Sequence, residues 1–219
     1  MQKELTKRFL SSIVLIPLVL YCSIQGSLIF NLLILILFFL TCYEWHKMAN
    51  KKKYYILGLI FLIFSYFSVY YIRNNVLDDG LFLFLLILLT CMFSDLGGYI
   101  FGKLFKGPKL TKISPKKTYS GMVGSFILSL LFSIIYLKFS NNFDFELGID
   151  ISSYLINVFL ISGISQIGDI TISYFKRRSK IKDTGKIIPG HGGLLDRIDG
   201  MIFAFPIIYL INSTGYLNV

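Results

Sequence analysis

Seven stretches of the chain are apolar almost without interruption, at residues 9–25, 27–45, 54–72, 80–101, 120–137, 152–175 and 200–212. They show neither the alternation of a half-buried strand nor the one-sided stripe of a helix lying on a soluble core; they are apolar all round. A bilayer core takes about 17–25 such residues per crossing. The pattern therefore predicts an all-α, polytopic membrane protein of about seven transmembrane helices. Only the Ser-Ile-Gln-Gly-Ser stretch at 23–27 parts the first two runs, and Pro206 interrupts the short last one.

Composition agrees. Hydrophobic residues make up 55% of the 219 positions and charged residues 16%, against about 25% charged in a soluble domain. Cys22, Cys42 and Cys91 all fall inside apolar runs without C-x-x-C spacing, so they read as packing residues rather than ligands. The first run follows MQKELTKR but is not trailed by a small-residue cleavage pattern, and it is kept as the first span.

Charge then orients the spans. Across seven crossings, every Lys and Arg except Arg73 and Lys138 falls on one side. By the positive-inside tendency that side is cytoplasmic, with the amino terminus inside. A bacterial inner-membrane setting with a cytoplasmic active site is the corresponding expectation. The net charge of +10 suits the anionic inner leaflet. Nucleic-acid binding is not expected, because no basic face is interleaved with stacking aromatics. The basic residues do crowd into the loops after the fourth and sixth spans, where they could gather a polyanionic substrate.

Polar residues inside the spans carry the chemistry. A carboxylate at the centre of a membrane helix costs about 2.5–3.5 kcal/mol on insertion scales, so it tends to face the protein interior and to serve a function. Asp95 shares a helix face with Gly98 and Gly102, where the glycines admit a neighbouring backbone or a ligand. Ser162, Ser165 or Gln166, Asp169 and Ser173 form a polar stripe down the sixth span, and Asp169 has no basic residue within a turn. It calls for a bound cation, a pairing segment or a proton. Beyond it runs Lys176 to Gly200, in which Pro189-Gly-His191-Gly192-Gly193 precedes Asp196-Arg197-Ile-Asp199. The glycines can present N–H groups to phosphate, and oxygen ligands of this type suit magnesium arriving with a nucleotide. Ser114-Pro-Lys116-Lys117-Thr118 adds a stiff turn with two lysines. His46 reads as interfacial, and the absence of a Walker A sequence excludes a P-loop ATPase.

These residues resemble the phosphatidate cytidylyltransferase (CDP-diacylglycerol synthase) family. Its long signature is met without a gap by Ser173, Lys176, Arg177, Lys182, Asp183, Gly185, Ile188, Pro189, His191, Gly192, Gly193, Leu194, Asp196, Arg197, Ile198 and Asp199. Its Asp-x-Gly-x-Tyr-x-x-Gly and Ser-Pro-Lys-Lys-Thr segments are matched at Asp95 to Gly102 and Ser114 to Thr118. The firm resemblance covers roughly residues 90–205. The amino-terminal spans match only in hydrophobicity and in Tyr43-Glu44-Trp45. Members of the family often have more spans and a longer amino-terminal half.

The resemblance implies transfer of the CMP moiety of CTP to phosphatidate, giving CDP-diacylglycerol and pyrophosphate. Magnesium would serve the reaction, alone or with a second cation, held by Asp169 and Asp196. Lys176, Arg177, Lys182, Asp183, His191, Arg197 and Asp199 would carry the catalysis. Asp95, Ser114, Lys116, Lys117, Ser173, Gly192 and Gly193 would bind substrate. It divides the single membrane domain into amino-terminal spans over 1–79 and a catalytic half over 80–219. A homodimer is implied by the resemblance alone.

Three other readings fit the sequence less well. Asp196-Arg-Ile-Asp199-Gly200 starts like the motif of CDP-alcohol phosphotransferases, but no acidic residue follows Asp199. A CTP-dependent polyprenol or phytol kinase would not need the full signature. A cation channel lined by Asp95 and Asp169 leaves that signature unexplained.

Overall fold

The computed structural model describes residues 15–75, 80–141, 150–188 and 192–213. These form helices α1 (Leu15–Gln25), α2 (Ser27–Ala49), α3 (Tyr55–Asn75), α4 (Gly80–Phe105), α5 (Tyr119–Asn141), α6 (Ile151–Arg178), the single turn α7 (Leu195–Ile198) and α8 (Met201–Ser213). Among the described residues there is no strand, only two isolated bridges. Helices α2 to α6 are long and apolar enough to cross a membrane, and α1 and α8 are shorter apolar helices. Each of the seven apolar runs thus corresponds to one helix. The chain is a polytopic, all-α integral membrane protein. Helices α2 to α6 each outlast their apolar runs by three or four residues at the carboxyl end, because backbone hydrogen bonding continues where lipid-compatible side chains stop.

The middle helix α4 is the most enclosed, whereas α2 and α5 turn most of their surface outward. One core cluster joins Phe82, Leu86 and Ile87 of α4 to Tyr154, Val158 and Ile161 of α6 and to Ala204, Phe205 and Ile208 of α8. A second gathers Trp45, Met48, Leu62, Ile172, Leu195 and Ile202, binding α2 and α3 to the short α7.

Where helices meet closely, small residues and hydroxyls make it possible, as they must when lipid tails are as apolar as the core. A Cβ on Gly97 would collide with the carbonyl oxygen of Gly124, and one on Gly121 would lie 2.7 Å from that of Gly98. The glycine face of α4 therefore admits the backbone of α5. Ser125 Oγ donates to the Ser94 carbonyl at 2.7 Å, and the Ser94 and Ser162 hydroxyls are 3.0 Å apart, tying α5, α4 and α6 together.

Two irregularities have local causes. The chain breaks between α1 and α2 at Gly26, whose φ of 63° suits glycine. There Arg73 of α3 donates to the Ser23 and Ile24 carbonyls at 2.7 and 3.3 Å. Arg73 is thus spent on capping α1, which accounts for a cation on the sparsely charged side. Pro206 in α8 lacks the N–H that would bond the carbonyl of Ile202, four residues earlier. That buried carbonyl instead accepts from Ser65 Oγ of α3 at 2.8 Å, which lets a proline-bearing helix stay within the bundle.

Candidate active site

The Ser114-Pro115-Lys116-Lys117 segment closes as a turn, with Lys117 N–H donating to the Ser114 carbonyl at 3.0 Å and Pro115 in its second position. Backbone bonds from Leu110 N–H to the Lys117 carbonyl (2.8 Å) and from Tyr119 N–H to that of Pro108 (3.1 Å) fold the loop back on itself. The turn sends its two lysines different ways. Lys116 stands exposed in solvent, whereas Lys117 reaches inward and forms an ion pair with Asp169 of α6. Ser173, one turn along α6, lies with its Oγ 3.4 Å from the other Asp169 oxygen. The polar stripe of α6 is therefore answered by a separate segment, one of the outcomes expected for an intramembrane carboxylate.

Asp95 is exposed on α4 and makes no direct hydrogen bond or ion pair among the described residues. The charges near enough to act on it belong to Asp169, Lys117 and Arg197. Asp95 is thus an exposed carboxylate within reach of charges from three other segments. Asp199, buried just ahead of α8, accepts from the Gly200 N–H at 3.0 Å and feels Asp169, Asp95, Lys176 and Lys117. Burial, with the repulsion of Asp169 and Asp95, pushes its carboxyl well above the usual carboxylate range.

At its end α6 closes in a Schellman arrangement. The Ile181 N–H bonds the Lys176 carbonyl and the Lys180 N–H that of Arg177, both at 3.0 Å, with Lys180 at φ 58°. Arg177 donates back to the Ile181 carbonyl at 3.1 Å. The chain is thereby returned across the bundle end. Ile188 pairs with Gly192, whose φ of 90° needs glycine. Residues 189–191, and with them His191, lie outside the described residues.

Asp196 is almost fully engaged. Its Oδ1 takes Lys176 Nζ at 2.7 Å, and its Oδ2 accepts the N–H groups of Thr184 (2.8 Å) and Gly193 (3.1 Å). The side chains of this pair are 11% and 7% exposed. Gly193 therefore spends its N–H on Asp196, and a side chain there would collide with Thr184. Lys182, Asp183 and Arg197 are exposed around the loop. Ser114 is half-buried, and its carbonyl closes the lysine turn.

The structure thus joins Asp95, Lys117, Asp169, Ser173, Lys176, Asp196, Asp199 and Arg197 through contacts or shared electrostatics. Lys116, Arg177, Lys182 and Asp183 lie at the rim. Two residues of this network were not singled out from sequence. Glu44 of α2 is buried and accepts from Thr184 Oγ1, Leu194 N–H and Leu195 N–H. It was detectable as the lone carboxylate of an apolar run, by the argument applied to Asp95 and Asp169. Thr184 sits inside the signature at a position that carries no charge.

Among the described residues, no three His, Cys, Asp or Glu side chains are grouped to hold one ion. Magnesium with a nucleotide needs no such cage, because one or two carboxylates plus substrate phosphates and water suffice. Asp169 and Asp196 each already hold a cationic ammonium. Asp169 is the freer of the two, and its hard oxygens fit a magnesium ion, whereas the Asp196 oxygens are taken up by Lys176 and two backbone N–H groups.

Comparison with known proteins gives the family. The pattern of the Cytidylyltransferase family matches residues 55–214. The phosphatidate cytidylyltransferase of Rickettsia bellii is 34% identical over 222 residues, covering 97% of this chain and 92% of that protein. The phosphatidate cytidylyltransferase of Rickettsia felis is 36% identical, covering 94% and 91%. That of Haemophilus influenzae is 41% identical over 128 residues, covering 58% and 44%. The chain belongs to the cytidylyltransferase family and is an enzyme of that type.

Proposed function

We propose that the chain transfers the CMP moiety of CTP to phosphatidate at the cytoplasmic face of a bacterial inner membrane, releasing CDP-diacylglycerol and pyrophosphate. The observation that carries this reading is the meeting of Lys117 with Asp169 beside the Lys176–Asp196 pair. Two remote sequence segments thus place two ammonium groups and several carboxylates in one electrostatic cluster at a membrane-helix end. The relatives' names supply the two substrates, and the gathering of basic residues on one side supports the cytoplasmic orientation.

In the proposed reaction a phosphate oxygen of phosphatidate attacks the α-phosphorus of CTP. A new P–O bond forms, the bond to the β-phosphate bridging oxygen breaks, and pyrophosphate carries away the electron pair. Such a transfer asks the protein for positioning and charge neutralisation rather than covalent help. Lys117, Lys176 and Arg197 would bind phosphate oxygens, with Lys182 and Lys116 drawing the polyanion in from the rim. Asp169 would hold magnesium, with Asp196 fixing the loop beside it. When bound, that ion supplies charge neutralisation for the triphosphate. The apolar helices keep the lipid's acyl chains in the bilayer while the headgroup meets the cluster.

The test is transfer of label from α-labelled CTP into lipid by the purified full chain in detergent, with phosphatidate and magnesium. Labelled CDP-diacylglycerol is expected, dependent on phosphatidate and lost in Asp196→Asn. Transfer of γ-label to a lipid alcohol instead would overturn the reading in favour of a lipid kinase. A folded protein that moves neither label would overturn it outright.

A further inference from the structure

We propose that Glu44 is a positioning residue for nucleotidyl transfer, a carboxylate from α2 that ties Thr184 to Leu194 and Leu195. The role rests on the cytidylyl-transfer reading above and extends the site into the amino-terminal spans. Glu44 lies ahead of residue 55, where the family match begins.

A carboxylate buried in an apolar helix carries a large desolvation cost unless its oxygens are occupied. Glu44 is 1% exposed, and every hydrogen bond described for its side chain comes from this one distant loop. Oε1 accepts the Leu194 N–H at 2.9 Å; Oε2 accepts the Leu195 N–H and Thr184 Oγ1, each at 2.8 Å. No ion pair to Glu44 is present among the described residues. The group therefore serves as an acceptor for backbone and hydroxyl rather than as half of a salt bridge.

Two glycines of the signature are explained by the same contact. A Cβ on Gly185 would run into Glu44 Oε1, and one on Gly193 would lie 2.6 Å from Oε2 as well as striking Thr184. The loop is narrow at these points so that the carboxylate can enter it. Thr184 then connects the two anchors. Its hydroxyl donates to Glu44 and its N–H to Asp196, whose other oxygen holds Lys176. Displacing Glu44 would loosen Thr184 and, through it, the Lys176–Asp196 pair. Glu44 has no described contact with Lys117, Asp169 or Asp95, so it acts through the loop and not on the reacting atoms.

Glu44→Gln keeps the side-chain volume but turns one acceptor oxygen into a donor facing N–H or O–H groups. The experiment compares wild type, Glu44→Gln, Thr184→Val and the double variant as full chains in detergent. It reads steady-state constants for CTP and phosphatidate, unfolding temperature, and amide exchange in peptides spanning 184–195. We expect Glu44→Gln to remain folded at the assay temperature. Its kcat/KM for CTP should fall about 10- to 100-fold, the scale of a small misplacement of reacting groups, with KM for phosphatidate changed less than about twofold. Exchange should rise in the loop and not in α4–α5. The double variant should lose less than the product of the single losses, as expected for residues acting as one unit. A Glu44→Gln protein with a lowered unfolding temperature but unchanged constants would overturn the proposal, leaving Glu44 a purely structural anchor. A folded wild type that transfers no label would overturn the reaction itself, and the role of Glu44 with it.

Discussion

Glu44 and Asp196 on one side, and Asp95 and Asp169 on the other, are acidic residues in or beside apolar helices, yet their surroundings divide them. The first two are saturated. Between them they take four backbone N–H groups, one hydroxyl and one ammonium, and nearly all of these donors lie in the 184–195 loop. The second two are under-committed: Asp95 has no direct partner among the described residues, and Asp169 has a half-exposed lysine and a distant serine hydroxyl. Saturated carboxylates fix a backbone. Under-committed ones can take up a ligand without breaking the structure, because they surrender little when it arrives. Thr184 and residues 193–195 are thus the fixed part of the cluster, and Asp95 and Asp169, between α4, α6 and the lysine turn, are the part left free to take up a ligand.

The strongest way to break this contrast is to spoil the fixed part. In Gly193→Ala the new methyl would meet Thr184 Oγ1 and Glu44 Oε2, and neither can retreat without giving up its own bonds. Overpacking of this kind typically costs about 1–3 kcal/mol, and here it moves the Asp196 anchor as well. Transfer activity should fall by more than about 100-fold together with a lowered unfolding temperature. Near-normal activity in the label-transfer assay would show that the loop tolerates displacement and is not the rigid element.

Lys117→Ala probes the free part, and there activity and stability should separate. The Lys117–Asp169 side chains are 22% and 28% exposed, so loss of the pair should cost no more than about 1 kcal/mol. The kcat/KM for CTP should nevertheless drop by about 10- to 100-fold, on the scale at which a lost positioning contact is felt. Lys116→Ala, altering the neighbour that points to solvent, should cost less than Lys117→Ala. Equal losses for the two lysines would mean that the inward turn has no bearing on the reaction.

The same contrast explains what sequence could and could not reveal. The five long helices and the two shorter apolar ones were legible because lipid demands uninterrupted apolar runs, and Asp95 and Asp169 stood out because a carboxylate in such a run needs a reason. The pairing of Asp169 with Lys117 was not legible. Nothing local ties the two positions, and the fold alone brings the lysine turn onto α6. Glu44 appeared only within the Tyr43-Glu44-Trp45 match and without a role, because its partners, two backbone N–H groups and one hydroxyl on a remote loop, leave no mark in a sequence. Gly193 read as a phosphate cradle, since a glycine that makes room for a carboxylate looks the same as one that makes room for a ligand. Pro206 looked like a break in the last span because its compensating hydroxyl, Ser65, lies on another helix.

That hydroxyl gives a smaller effect, confined to stability. Ser65→Ala leaves the Ile202 carbonyl, already without its helical donor, buried and unpaired, at an expected cost of about 1–3 kcal/mol. The loss should appear in the unfolding temperature and not in the KM for CTP, because Ser65 supports α8 rather than the charged cluster. If Ser65→Ala raised KM for CTP as much as Lys117→Ala, the separation of scaffold from free carboxylates would fail.

The smallest effect should run the other way. Lys180 ends α6 with φ 58°, a left-handed conformation that costs a residue bearing a Cβ about 1–2 kcal/mol and costs glycine almost nothing. Its N–H is already used on the Arg177 carbonyl, and its side chain is exposed. Lys180→Gly therefore keeps the Schellman bonds and removes the strain. Part of the gain is offset by the greater freedom of glycine in the unfolded chain. A net stabilisation of up to about 1 kcal/mol is expected, read as a raised unfolding temperature. If the turn leading into the loop is as rigid as the loop itself, amide exchange in the 184–195 peptides should also slow. Faster exchange in Lys180→Gly would place the start of the loop with the yielding part of the site, because a rigid turn gains from losing strain and a mobile one only gains freedom.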